Sequence, residues 1–209
     1  TPDVSFGGGT GRVQTDFGQY DRAISVAVRS DGKIVVLGTW NVGVNGFGGI
    51  GLARYNPNGS LDQTFGNGTG KVLTETGQYC DLYVYGTSGD LEILPDQTIL
   101  GMVGYLDFDE NCLTDGILFR YTSDGSVDTS FGNNGHVVTE QIFSSMAFQP
   151  SDGKIVLAGS TRITRLNYAG SPDTAFGSGG IVTLPAPLIY GFVALDANRG
   201  TFFHGLQHD

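Results

Sequence analysis

Lysine occurs three times in 209 residues, cysteine and methionine twice each, and tryptophan once. Each scarcity excludes something. With 11 basic against 21 acidic side chains and a formal net charge of −10, the chain lacks the clustered cations that a phosphate backbone requires. Nucleic acid is therefore not an expected partner, and an anionic membrane surface is disfavoured for the same reason. No apolar run approaches the roughly 18 residues of a spanning helix, so no membrane insertion is expected. Two cysteines, Cys80 and Cys112, are too few for a disulfide framework or a four-ligand zinc site. The three histidines, His136, His204 and His208, are scattered. No H-E-x-x-H, G-x-S-x-G or phosphate-loop spacing occurs, so the chain is expected not to be an enzyme. Long amphipathic helical patterns are missing too.

Glycine, by contrast, is abundant at 34 residues, beside a charged fraction of 15% and a hydrophobic fraction of 39%. Well-formed short apolar runs between glycine-rich turns predict a turn-dense all-β protein. One phrase recurs four times: TPDVSFG from Thr1, SLDQTFG from Ser60, SVDTSFG from Ser126 and SPDTAFG from Ser171. Each copy is followed by a Gly-x-Val pattern, at Gly11, Gly70, Gly135 and Gly180. A period of this kind means one supersecondary unit stacked several times.

Each complete unit reads as four short segments. Apolar runs at Ile24–Val28, Leu91–Leu94, Met146–Phe148 and Phe192–Leu195 lead through turns such as Ser30-Asp31-Gly32 into second runs at 33–38, 98–104, 154–159 and 201–205. Third runs follow at 50–55, 117–121 and 163–166, and the Asp-x-x-Phe-Gly phrase with its Gly-x-Val run closes the unit. β-Branched runs joined by Asp-Gly turns are hairpin signals. Four antiparallel strands repeated radially describe a β-propeller blade. The expected fold is thus all-β, a single β-propeller-like array over residues 1–209, with repeat phrases near 1–15, 60–74, 126–139 and 171–184.

The stretch from Ser30 to Val72, echoed at Arg120–Val137 and Pro150–Val182, resembles the delta-60 repeat of bacterial propeller-like proteins. That resemblance implies a propeller fold and an exported or surface-attached bacterial protein, and no particular activity, since propellers host many functions. About three and a half units are present, fewer than the 4 to 8 blades of a closed ring. The expectation is therefore a partial or open propeller belonging to a larger one or to a longer chain, with exposed strand edges able to pair.

Repeated residues read first as scaffold. Phe6, Phe65, Phe131 and Phe176 are expected as buried anchors between blades. Asp3, Asp62, Asp128 and Asp173 are placed to accept backbone N–H groups, and Arg54, Arg120 and Arg165 to pair with them.

Function is then expected where the copies differ. In an up-and-down blade, the loop entering the first strand and the loop between strands two and three share a face. There the first unit carries Tyr20, Asp21, Trp40 and Asn41, with its second loop read as Thr39–Gly49; the second unit carries Tyr79 and Asp81. Aromatic rings beside Asp and Asn can stack on a sugar while the polar groups bond its hydroxyls; the alternative is that the rings cover the blade top. The loop 105–116 holds Asp107, Asp109, Asn111 and Asp115, in the D-x-D-x-N spacing that opens a Ca2+ loop. Its sixth position is Cys112 rather than Gly and its twelfth is Leu118 rather than Glu, so a solvated acidic loop is the other reading. Cys80 and Cys112 fall on the same face of one unit and form the disulfide candidate. The resulting expectation is a non-catalytic, extracellular or cell-surface bacterial module that binds a glycan or protein through this face. The alternative is a structural subunit of a surface layer, fibre or appendage, partnered by copies of itself.

Overall fold

Period-two runs and Asp-Gly turns do become hairpins, and the hairpins become blades. The computed structural model describes residues 1–18, 20–41, 48–75, 88–104, 116–185, 188–196 and 200–207. Blade 1 comprises β1 (Tyr20–Val28), β2 (Ile34–Asn41), β3 (Gly48–Tyr55) and β4 (Lys71–Glu75). Blade 2 comprises β5 (Ser88–Ile93), β6 (Ile99–Gly104), β7 (Gly116–Tyr121) and β8 (His136–Thr139). Blade 3 comprises β9 (Phe143–Gln149), β10 (Lys154–Gly159), β11 (Arg162–Leu166) and β12 (Ile181–Thr183). Each is a four-stranded sheet in sequence order, antiparallel throughout. A two-stranded sheet of β13 (Leu188–Asp196) and β14 (Gly200–Gln207) follows. The first strands adjoin in succession, β1 by β5, β5 by β9 and β9 by β13, as in radially stacked blades.

Strand alternation builds the core between blades rather than within them. Val35, Leu37, Ile50 and Leu52 of blade 1 meet Leu91, Ile99, Val103 and Phe119 of blade 2 in one buried cluster. Leu100, Met102 and Leu118 on the opposite face of blade 2 meet Met146, Ile155 and Leu157 of blade 3. Val156 and Ala158 turn the other way and pack with Val193 of β13. Burial of this kind contributes roughly 1.5–3 kcal/mol per large apolar side chain.

Three expectations are corrected. Tyr20, Asp21, Trp40 and Asn41 lie on strands, not loops: the β1–β2 ladder pairs Asp21 with Trp40 and Tyr20 with Asn41, and Trp40 also pairs with Gly49 of β3. The ladder runs on past the apolar runs because backbone hydrogen bonds, unlike burial, do not require apolar side chains. The Gly11-Arg12-Val13 segment is not a strand, and among the described residues no strand pairs with it. Phe65 and Phe131 are fully buried, whereas Phe6 and Phe176 are only partly so.

Candidate functional site

The repeat residues assemble a lock between successive blades. Arg54 donates from Nε to Asp62 Oδ2 at 2.6 Å, and Arg120 makes the same bond to Asp128 at 2.7 Å. The second carboxylate oxygen is held by the backbone N–H and hydroxyl of Thr64 or Ser130. Burial pushes Asp62 upward, but hydrogen bonds from Lys33, Thr64 and Arg54 outweigh it and hold the carboxyl well below the usual range. The guanidinium lies over the phenylalanine of its own phrase, 4.6 Å from the Phe65 centroid and 4.8 Å from that of Phe131. Its free arm then crosses to the next blade: Arg54 Nη1 donates to the Ser123 carbonyl, and Arg120 Nη1 to the Tyr168 carbonyl at 2.6 Å. One residue further along the same turns, the carbonyls of Asp124 and Ala169 accept the Gly66 and Gly132 N–H at 2.9 and 2.8 Å. The expected Arg–Asp pairing and the expected backbone caps are both present, and the reach into the next blade is what the sequence did not disclose.

Thr1–Thr15 docks on blade 1 as the end of a preceding unit would. Gly7 N–H donates to the Asn58 carbonyl at 2.9 Å, matching Gly66 and Gly132. Tyr55 donates to Thr15 Oγ1 at 2.6 Å, as Tyr121 and Thr74 share a bond between blades 1 and 2.

Below this segment the described residues enclose an open cleft of about 690 Å³ on the outward face of blade 1. Its floor is Ile34, Val36, Gly38, Gly51, Ala53 and Tyr55, the face whose counterpart on blade 2 is covered by blade 1. Gln14–Gly18 form the roof. Phe17 rests on Gly51, Lys71 Nζ donates to the Asp16 carbonyl at 2.7 Å, and the Phe17 N–H donates to Asp21 Oδ2 at 2.5 Å. Asp21, Arg22 and Thr39 supply polar groups at one end, and Phe6 and Val13 close the other. The floor continues into Val26 and Val28, the ladder partners of Val36 and Ile34, which are 60% and 68% exposed.

The sequence-derived site residues are distributed as follows. Asp21 lines the cleft, with its carboxylate engaged by Phe17. Trp40 is only 8% exposed, so its ring is packed within the blade end and offers no open stacking face. Its Nε1 is buried with no hydrogen-bond partner among the described residues. Tyr20 and Asn41 adjoin these two by backbone register. Tyr79, Asp81, Asp107, Asp109, Asn111, Asp115, Cys80 and Cys112 lie outside the described residues. Among the described residues, no three His, Cys, Asp or Glu side chains converge as metal ligands.

An acid pair escaped the sequence reading. Asp90 and Glu92 on β5 face blade 3, where their carboxylates accept the Met146 and Phe148 N–H groups, each at 3.0 Å. They thereby satisfy donors on the free edge of β9. Burial, with the charge of Asp90 adding to it, pushes Glu92 up to about 7 against the bond from Phe148. In register, the corresponding positions are Ser25 and Ala27 in blade 1 and Ser145 and Ala147 in blade 3. Aligning the first strands of the repeats was the signal that would have found the pair.

Four-stranded antiparallel blades, stacked first strand to first strand and locked by a repeated Arg–Asp–Phe unit, define a protein of the β-propeller repeat type. Residues 29–65, 107–131 and 151–176 match a family model described as a beta-propeller domain of unknown function, DUF5122. No curated protein matches the chain.

Proposed function

We propose that the chain is a non-catalytic binding module of the delta-60 kind, exported to the bacterial cell surface, that holds a surface component against the outward face of blade 1. The cleft carries this reading: an apolar sheet floor facing polar groups from its roof and one end has the composition of a ligand site. Its continuation into exposed Val26 and Val28 favours a protein partner over a glycan, because a contiguous apolar patch recognises apolar side chains better than hydroxyls. The burial of Trp40 points the same way. The non-catalytic part rests on the acids already described. Asp62, Asp128 and Asp173 are paired with arginine, and Asp90 and Glu92 accept backbone N–H groups, so none stands ready for proton transfer to a substrate.

Retention on peptide and glycan panels, compared between the wild type and Val36→Arg, tests the reading. A ligand held by the wild type and lost by Val36→Arg, at unchanged melting temperature, supports it. Undiminished retention by a folded Val36→Arg variant removes the cleft as the site.

The alternative, a structural subunit joined to copies of itself, is favoured by the same exposed valines, since an uncovered blade face is what a blade of another copy would cover. Light scattering across a concentration series separates the two readings: a compact monomer supports the binding module, and growth into large ordered species supports assembly.

A further inference from the structure

The third lock in the chain has its donors in place, and among the described residues no turn is bonded to them. Arg165 donates from Nε to Asp173 Oδ2 at 2.8 Å, and its guanidinium lies 4.6 Å from the Phe176 centroid, as in the two completed locks. Gly177 follows with φ 54°, beside 59° for Gly66 and 55° for Gly132, so its N–H has the same backbone setting. Yet among the described residues nothing accepts from the Arg165 Nη atoms or from the Gly177 N–H. The Arg165 side chain is 23% exposed, against 5% and 3% for Arg54 and Arg120.

The completed locks specify what fits. Each receives a tight turn that presents two successive carbonyls, Ser123 and Asp124 in one case and Tyr168 and Ala169 in the other. A glycine with φ near 90° comes next, 92° at Gly125 and 88° at Gly170. That glycine lies against the phenylalanine ring, where a Cβ would come within 2.7 Å of Phe65 or 3.1 Å of Phe131. Any other residue is excluded twice, by its backbone conformation and by the ring.

We infer that Arg165, Phe176 and Gly177 form a docking site for an x-x-Gly β-turn of a further repeat unit. The first carbonyl of the turn accepts from Arg165 Nη1, the second accepts from the Gly177 N–H, and its glycine seats on Phe176. The site lies on blade 3, apart from the blade 1 cleft, and the inference does not depend on what that cleft binds.

The test titrates the ¹⁵N-labelled chain with a peptide of residues 119–128 (FRYTSDGSVD), whose turn fills the lock between blades 1 and 2. The Gly177 amide and Arg165 Nε–H signals are expected to shift saturably, while those of Gly66 and Gly132, already bonded, stay in place. The same peptide with valine replacing its glycine is expected to leave all four unmoved. Arg165→Ala is expected to weaken binding about tenfold through loss of one charge-assisted hydrogen bond, with the unshifted Gly66 and Gly132 signals confirming that the variant is folded. Absence of any Gly177 shift at several millimolar peptide overturns the assignment. Equal binding of the valine peptide, or of Arg165→Ala, overturns it as well.

Discussion

The locks at Arg120 and Arg165 share one chemistry and differ in what reaches them. Arg120 is sandwiched between Phe131 and Tyr168, bonds Asp128 and Ser130 in its own blade, and bonds the Tyr168 carbonyl in the next. Arg165 keeps its aspartate and its phenylalanine but has Ala175 where Ser130 stands, and no carbonyl on its far side among the described residues. The intrablade half of the unit therefore forms without the interblade half. It follows that the phrase folds locally and presents a prepared set of donors to whichever blade comes next.

The largest expected effect breaks that comparison directly. Arg120→Ala leaves the half-buried Asp128 carboxylate without its cation, removes the tie to Tyr168 and unstacks two rings. It is expected to cost about 3 kcal/mol, the low end of the range for breaking a buried ion pair, because Arg120 is buried while Asp128 is half-buried. Arg165→Ala removes a partly exposed guanidinium that crosses to no other blade among the described residues and leaves Asp173 with Lys154 still 3.5 Å away, so it is expected to cost about 1 kcal/mol or less. Urea unfolding of both variants measures the gap. Equal losses would mean that the stability resides in the Arg–Asp pair and not in the crossing to the next blade.

Blade 2 differs from blades 1 and 3 in its acid pair, which gives a second effect, this one dependent on pH. Glu92 titrates near 7 when folded and near 4.5 as a free side chain. A raised carboxyl pKa means that the folded state binds the proton more tightly. Its stability contribution is complete below about pH 4.5, declines through the window up to about 7, and is lost above it. The interval corresponds to at most about 3 kcal/mol. Glu92→Gln is expected to match the wild type at pH 4 and to be more stable at pH 8 by up to that amount, provided the amide oxygen keeps the Phe148 N–H. Chemical unfolding at the two pH values decides it. An unchanged pH profile in the variant would place the titration elsewhere.

A smaller effect sharpens the role of the turn glycine. Gly125 and Gly179 both have positive φ, 92° and 64°, but a Cβ at Gly179 meets nothing within 4 Å, while one at Gly125 meets the Phe65 ring. Alanine at Gly179 carries backbone strain of roughly 1–2 kcal/mol. At Gly125 it carries strain together with overpacking, expected to add roughly 1–3 kcal/mol. Thermal unfolding of both variants checks the difference. Equal costs would show that the turn conformation alone, and not its seat on the ring, demands glycine.

What the sequence disclosed divides along the same line as local and non-local contacts. The four-stranded unit, the Asp-Gly turns and the Arg54–Asp62 type of pair lie within one repeat, eight residues or fewer apart for the pair, and so leave a periodic trace. Arg54 reaching Ser123, or Glu92 reaching Phe148, joins residues whose separation depends on how blades stack, and no local pattern encodes it. Trp40 illustrates the other failure. It stands beyond the apolar run and so reads as a loop residue, but the ladder continues to it, and the surrounding chain buries its ring. The candidate site was legible only in the residues it shares with blade 1, chiefly Asp21. The cleft itself arises from a blade face left uncovered, which a comparison of the copies with one another does not reveal.

The smallest effect on stability concerns that face and separates the two functional readings. Val28 is 68% exposed on the outward side of β1, so Val28→Asp removes little buried surface and is expected to change stability by no more than about 0.5 kcal/mol. Its consequence should appear in association instead. If copies join through blade 1, a carboxylate set among Val26, Ile34 and Val36 must be desolvated in the contact, and the variant stays monomeric at concentrations where the wild type grows. If the face holds a different partner, both proteins scatter as monomers, and only retention of that partner falls. Growth of the variant equal to that of the wild type would move the assembly contact away from blade 1 and turn attention to the donors at Arg165.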